Sequence, residues 1–466
     1  MLVGGEWHAA SGAIEVRNPF DAQLVGTVAA GTAADVDRAL AAAAASLAEA
    51  WPAYARYDVL TAAAARIERR ADEYAWVIAR EGSKTIREAR REPPRAATIL
   101  RLSAELGRQL AGETLPFDSR AGSEHRVGYY LRSPAGIVAA ITPFNDPLAM
   151  AAHKTAPALA AGNAVVLKPA SATPMSALML AEDLVAAGLP TGRLNVITGA
   201  GHVVGEALAG DRRVRIVSFT GGVETGERIT RIAGIKKLLM ELGSNSPVIV
   251  LPDARLELAV QAIVAGGFAQ AGQNCLGVQR VLVHQRVYDA IRAGLVSRVR
   301  ELKSGASTDE QTDVCAMINE GQARRLESWI QEAVAGGATV LTGGTRRGAL
   351  VEPTVVENVP AGAKLDTDEA YGPVVSLYRV DSLDTAIDIA NRVDSGLHAA
   401  VFTESLRDAF AAVERLRVGA VIVNDSTDYR LDVMPFGGTR QSGIGREGIR
   451  FALHEMTETK VVCLNL

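Results

Sequence analysis

From Pro134 onward the chain alternates between two kinds of segment. Short apolar runs rich in β-branched residues ("GIVAAIT", "NAVVLKP", "RLNVITG", "RIVSFTG", "KKLLMEL") are separated by stretches of helix-forming composition ("HKTAPALAAG", "SALMLAEDLVAAGLP", "HVVGEALAG"). A strand that is apolar along its whole length has to be covered on both faces, and a parallel neighbour is reached only through a crossover, usually a helix. The pattern therefore predicts βαβ units around a buried parallel sheet. A second set follows Glu241, with "PVIVLP", "RVLVHQ", "ATVLTGG", "VVSLYRV", "AAVFT" and "GAVIVN" as its strands. The fold class is α/β, with two such domains meeting near residues 241–247. The first third reads as helical, because residues 35–50, 56–80 and 94–110 are dense in alanine, arginine and glutamate, all good helix formers.

Two segments fit neither domain. "GETLPFDSRAGSEHRVGYYLRSP" alternates with period two, which predicts a hairpin, and the closing "TKVVCLNL" is a strand without a neighbour in sequence. An arm and an unpaired strand commonly complete a sheet in another subunit, so a homodimer or homotetramer is expected. The length of 466 residues suits two or three domains. A net charge of −4 gives no reason to expect nucleic acid or an anionic membrane as partner. No stretch reaches the roughly 18 uninterrupted apolar residues of a spanning helix, and "MLVGGEWHAASG" lacks the features of a secretory signal. Cys275, Cys315 and Cys463 are scattered, which suits a reducing cytoplasm and suggests neither a disulfide framework nor a metal site.

Cys275 stands in "AGQNCLGVQR", just past the mostly apolar segment 259–271. Buried inert thiols are common, and a thiol at a loop tip can also be a nucleophile. These residues alone leave both readings open. "VSFTGGVETGERI" predicts a strand ending at Phe219 and a helix from near Val223, whose free N–H groups and positive dipole end suit a phosphate. "VVLKPASATP" places Lys168 just past the carboxyl end of a strand, where open parallel sheets bind ligands. "GAGHVVG" at 199–205 has three residues between its second and third glycines, so it reads as a strand-to-helix turn rather than a dinucleotide fingerprint.

"ITPFNDPL", "LKPASATP", "FTGGVETG", "MELGSNSP", "GQNCLGVQR", "DEAYGPVV" and "PFGGTRQSGIGRE" occur in the order and spacing of the NAD(P)-dependent aldehyde dehydrogenase superfamily. The chain resembles that family over nearly its whole length. The resemblance implies a Rossmann-type cofactor domain (1–111 and 132–241), an α/β catalytic domain (242–446) and a small β oligomerisation element (112–131 and 447–466). It also implies Cys275 as the nucleophile. A thiolate adds readily to an aldehyde, and the adduct gives up hydride more easily than the aldehyde does. The developing oxyanion needs preorganised donors, implied here to be the Cys275 N–H and the Asn145 amide. Glu241 matches the base that activates water against the resulting thioester, and Lys154 a lysine in a supporting role. For NAD or NADP the resemblance implies Lys168 at the adenosine ribose, and Gly221 and Gly222 at the pyrophosphate. It implies Glu369 at the nicotinamide ribose and Tyr371 against the ring, in place of the usual phenylalanine. Thr142, Phe144 and Ser171 complete the implied cofactor contacts.

Three positions depart from the family pattern: Ser171 replaces a glutamate usual in NAD-dependent members, Gly222 a frequent serine, and Ser244 a glycine. The first bears on cofactor choice and the second loosens a phosphate contact; sequence offers no physical account of the third. The stretch from "ITPFNDPL" to "LKPAS" resembles that of members acting on short polar aldehydes such as lactaldehyde, semialdehydes and phospho- or phosphono-aldehydes. Members taking anionic substrates often place arginine just before the nucleophile, whereas Asn274 stands here. Arg87 and Arg90 in "GSKTIREARREPPR" are the basic candidates instead, against the plainer reading of a solvated face. Arg280 reads as a scaffold ion pair, Asn424 as structural, and "PFGGTRQSGIGRE" as a loop ordering the catalytic domain. Three rivals remain. A cysteine hydrolase would need His153 or His454 beside Cys275. An acyltransferase to coenzyme A would generally lack Glu241. A silent binding protein would have no reason to keep Cys275, Asn145, Glu241 and Lys168 together.

Overall fold

The computed structural model describes residues 1–466. Five strands lie parallel in the spatial order Leu194–Val196, Ala164–Lys168, Ile137–Ile141, Val214–Thr220 and Lys237–Glu241. Ile137–Ile141 and Ala164–Lys168 are buried at every residue, because helices cover both faces of the sheet. Short antiparallel strands close its two edges, Leu2–Val3 with Glu6–Trp7 on one side and Gly443–Ile444 on the other. The second sheet has seven strands, ordered Thr339–Thr342, Thr354–Glu357, Val374–Val380, Val278–His284, Ser246–Val250, His398–Phe402 and Ala420–Val423. All its neighbours pair in parallel except the first two.

The first third is less purely helical than its composition suggests. Residues 13–29 form an antiparallel hairpin, Ala13–Arg17 with Leu24–Ala29. The predicted helix 56–80 is two helices, Ala53–Arg69 and Ala71–Glu81, with Arg70 out of helical geometry (φ −104°, ψ 16°) between them. Arg70 there reaches across to the fully buried Asp183 at 3.0 Å, a tertiary tie that local propensity does not encode.

The closing strand has a partner within the chain, which corrects the expectation that it lacks one. Thr457–Asn465 pairs antiparallel with Arg126–Pro134 over nine residues, Thr457 opposite Pro134 and Asn465 opposite Arg126, and Thr114–Leu115 adds a third strand. The arm thus runs on to Pro134. Residues 447–456 belong elsewhere: the helix Ile449–Glu455 packs Ile449, Leu453 and Met456 into the core of the first sheet, with Leu100 and Leu148.

Candidate active site

The carboxyl ends of the first sheet face the amino ends of the second across a cavity of about 1300 Å³. That exceeds the roughly 300–1,000 Å³ of an ordinary small-molecule pocket, leaving room for a dinucleotide and a small second molecule. The turns after Ile137–Ile141, Ala164–Lys168, Val214–Thr220 and Lys237–Glu241 all contribute to it, as do the segments before Val278–His284 and Val374–Val380.

Cys275 reaches this cavity from a distorted loop. Gln270 and Ala271 are left-handed (φ 54° each, ψ 35° and 37°), and Gly272 follows at φ 66°. Non-glycine residues are held in this region at a cost of about 1 kcal/mol or more each, and such strain collects at functional sites. Glycine is required at 272 for a second reason, since a Cβ there would collide with the Gly372 carbonyl. The Asn274 carboxamide oxygen then accepts the Leu276 N–H at 3.1 Å. Asn274 is therefore a loop-forming residue.

Glu241 ends its strand 3 % exposed, and its Oε1 is buried without a partner. Burial, then the neighbouring Glu447, raise its pKa to about 7. Burial and the Glu241 charge together push the Cys275 thiol well above its usual value. The thiol therefore rests protonated, facing a carboxyl that exchanges its own proton near neutrality. Asn145 is buried and lines the same cavity, two residues before the helix Pro147–Ala160 begins.

Lys154 stands off the cavity wall. Its Nζ lies 2.9 Å from Glu447 Oε1 and 3.3 Å from Ser218 Oγ, so it reaches Glu241 only through its charge. Arg430, which sequence reasoning passed over, sits in the same buried network. It donates to Glu447 at 3.2 Å, lies 3.6 Å over the Phe436 ring and keeps a buried Nε without a partner. Its charge opposes the upward shift of both Cys275 and Glu241. "DSTDYRLD" gives no local signal for this; only the fold brings residue 430 beside residue 447.

At the far end of the cavity, Lys168 is buried with only the Pro169 carbonyl as partner (2.9 Å), and burial lowers its pKa to about 8. Ser171 donates to the Gly199 carbonyl at 2.7 Å. This engages the hydroxyl proton and ties the loop to "GAGHVVG", whose Gly201, His202 and Gly205 line the cavity. A side chain at Gly221 would strike the Phe219 ring, whereas a Cβ at Gly222 would meet open space. The helix Val223–Ala233 starts directly after them. Thr142 and Thr220 present buried hydroxyls with no partner to the same space. Glu369 accepts the Ser244 N–H at 2.9 Å, and burial raises its pKa to about 8. Ser244 is thereby accounted for: its hydroxyl lies 3.0 Å from that of Ser246 and its carbonyl accepts from Gln279 at 2.7 Å. Tyr371, left-handed at φ 45°, meets Phe144 edge-on at 5.8 Å. A cation without a carboxylate, unpartnered hydroxyls, a free helix start and two aromatic rings form a surface suited to a nicotinamide dinucleotide.

The remaining sequence expectations meet mixed outcomes. Arg87 pairs with Asp313 at 2.6 Å and Arg90 with Glu310 at 2.5 Å, both outside the cavity. Arg280 is scaffold without an ion pair, bonded to Asn245 and to the carbonyls of Ile389 and Ala390. Asn424 pairs both ends of its amide with the backbone of Thr403. The "PFGGTRQSGIGRE" loop docks on the edge strand that carries Glu241, Gly443 opposite Glu241 and Ile444 opposite Met240. His153 is held by Asp432 at 2.9 Å rather than by Cys275.

Residues 7–462 match the model of the aldehyde dehydrogenase family. The chain is 46 % identical over 455 residues to aspartate-semialdehyde dehydrogenase 1 of Pseudomonas canavaninivorans, covering 97 % of each. It is 44 % identical over 466 residues to a 3-sulfolactaldehyde dehydrogenase of Priestia aryabhattai, covering 100 % of this chain and 98 % of that one. Among solved structures, an NADP-dependent glyceraldehyde-3-phosphate dehydrogenase from Bacillus halodurans C-125, complexed with NADP, superposes with a TM-score of 0.97 at 36 % identity, covering 100 % and 98 %.

Proposed function

This chain belongs to the aldehyde dehydrogenase family, and we propose that it oxidises a short polar aldehyde to the carboxylic acid through a covalent adduct on Cys275. It is an NAD(P)-dependent enzyme, and the bound dinucleotide supplies the hydride acceptor. The observation that carries the reading is the convergence of Cys275, Glu241 and Asn145 on one end of a cavity whose other end suits the dinucleotide. Glu241, poised near neutrality, takes the thiol proton. Sulfur bonds to the aldehyde carbon, and the Asn145 amide and Cys275 N–H hold the oxygen as it becomes anionic. Loss of hydride leaves a thioester on Cys275. Glu241 passes the first proton to solvent and then deprotonates the water that attacks the thioester; the carbon–sulfur bond breaks, the departing thiolate takes that second proton back and the acid departs. Aldehyde, NAD(P)+ and water become acid, NAD(P)H and a proton.

Arg430 stands behind the cavity wall, with Glu447 on its Nη and a buried Nε without a partner, and supports an anionic group on the substrate through its charge, which already acts on Cys275 and Glu241. The names of the relatives, an aspartate semialdehyde and a sulfolactaldehyde dehydrogenase, agree in chemistry. The test is a panel of neutral and anionic short aldehydes with both cofactors, run on wild type, Cys275→Ala and Arg430→Gln. Cys275→Ala is expected to be inactive, and Arg430→Gln to raise KM at least tenfold more for anionic than for neutral substrates. Retained turnover in Cys275→Ala refutes the nucleophile; equal KM changes refute the anionic substrate.

A further inference from the structure

The segment Ser83–Glu92 lies outside the cavity yet touches both loops that carry the reacting groups. Lys84 is 4 % exposed, 2.6 Å from Glu92 and paired with Asp146. Glu92 turns its other oxygen to the N–H groups of Leu148 and Ala149, both at 2.8 Å. It thus caps the start of the helix that follows Asn145. Asp146, the residue after Asn145, also accepts the Gln270 side-chain amide at 3.2 Å. The Gln270 main-chain N–H donates to Glu88 at 2.8 Å. Gln270 is the first of the three left-handed residues leading to Cys275.

We propose that Gln270, bridged to Asp146, is a positioning residue that locks the oxyanion donor Asn145 and the nucleophile Cys275 into one frame. The inference rests on the roles proposed above for those two residues. A left-handed glutamine is not a resting conformation for a free loop, so something must hold it. The two hydrogen bonds it donates go to the segment 83–92 and to Asp146 beside Asn145, while its side-chain oxygen is buried without a partner. Loosening this tie would let the two groups drift, and a displacement of about 1 Å in a reacting geometry costs on the order of 100-fold in rate.

Gln270→Met keeps the length of the side chain and removes the bridge from one side; Asp146→Ala removes it from the other. In the holoenzyme, each is expected to slow the single-turnover burst of reduced cofactor by 10- to 100-fold. Cofactor Kd, read by fluorescence, should stay within twofold. The double variant should be no slower than the slower single, since both cut the same tie. Asp146→Asn, which keeps the accepting oxygen, should lose less than Asp146→Ala. A burst within twofold of wild type in Gln270→Met, or losses that multiply in the double variant, would overturn the proposal. So would loss of cofactor binding, which would make the pair a general scaffold. Cys275→Ala, run in parallel, separates the two levels. If it turns over, the mechanism itself fails; if it is dead while Gln270→Met is normal, only this inference fails.

Discussion

Glu241 is where burial decides chemistry. A carboxyl raised to about 7 is half ionised near neutrality, so turnover limited by thioester hydrolysis should rise with pH through about 7 and level off above it. Glu241→Gln should slow the first turnover, because the carboxylate also takes the thiol proton, and should then stall at about one reduced cofactor per site, because hydrolysis needs the base; an unchanged steady rate would place the base elsewhere. The same residue carries a stability signature. Its folded value lies above the unfolded one, so ionisation costs stability as pH climbs from about 4.5 to about 7. Glu241→Gln should leave Tm unchanged at pH 4 and raise stability at pH 8, by up to an order of 3 kcal/mol. Cofactor choice is also set at this scale. The Ser171 hydroxyl is spent on Gly199, so its contribution is the absence of a negative charge beside Lys168 rather than a bond to phosphate. Wild type should accept NADP at least comparably to NAD, and Ser171→Glu should weaken NADP relative to NAD by roughly tenfold or more. A kcat/KM comparison for both cofactors checks it.

At the scale of elements, the loop 270–275 is the critical one. Gly272→Ala would place a methyl group against the Gly372 carbonyl in a left-handed residue. It should cost about 2 kcal/mol or more and lower activity beyond what the Tm change explains; thermal melts and burst kinetics read the two separately. The apolar runs that announced the buried strands were legible because a strand covered on both faces has one chemical requirement along its whole length. Lys168 after "VVL" was legible for a related reason, since strand ends are local, whereas Cys275 in "GQNC" stood out through the family resemblance of its motif. Arg430 was not legible, and neither was the Arg70 break: Glu447 lies 17 residues from Arg430 and Asp183 113 residues from Arg70, and only folding brings each pair together.

The whole molecule presents an arm rich in exposed apolar residues. Val127, Tyr129, Leu131, Val461 and Leu464 all stand out to solvent on Arg126–Pro134 and Thr457–Asn465, and a long open edge strand invites pairing. A dimer or tetramer is expected by light scattering, with deletion of residues 460–466 breaking the assembly; a fully active monomer would refute this. No helix is long and apolar enough to cross a membrane. By itself the sequence determined the two α/β sheets, since hydrophobic period and turn chemistry act within a few residues of each other, and its resemblance to a known family implied the candidate nucleophile and the cofactor contacts. Only the tertiary structure decided that the closing strand pairs with the arm of its own chain, that Arg87 and Arg90 face away from the site, and that Gln270 and Asp146 tie two loops together. Those outcomes depend on which charges and edges meet after folding, and electrostatic partners more than a hundred residues apart leave no periodic trace in the chain.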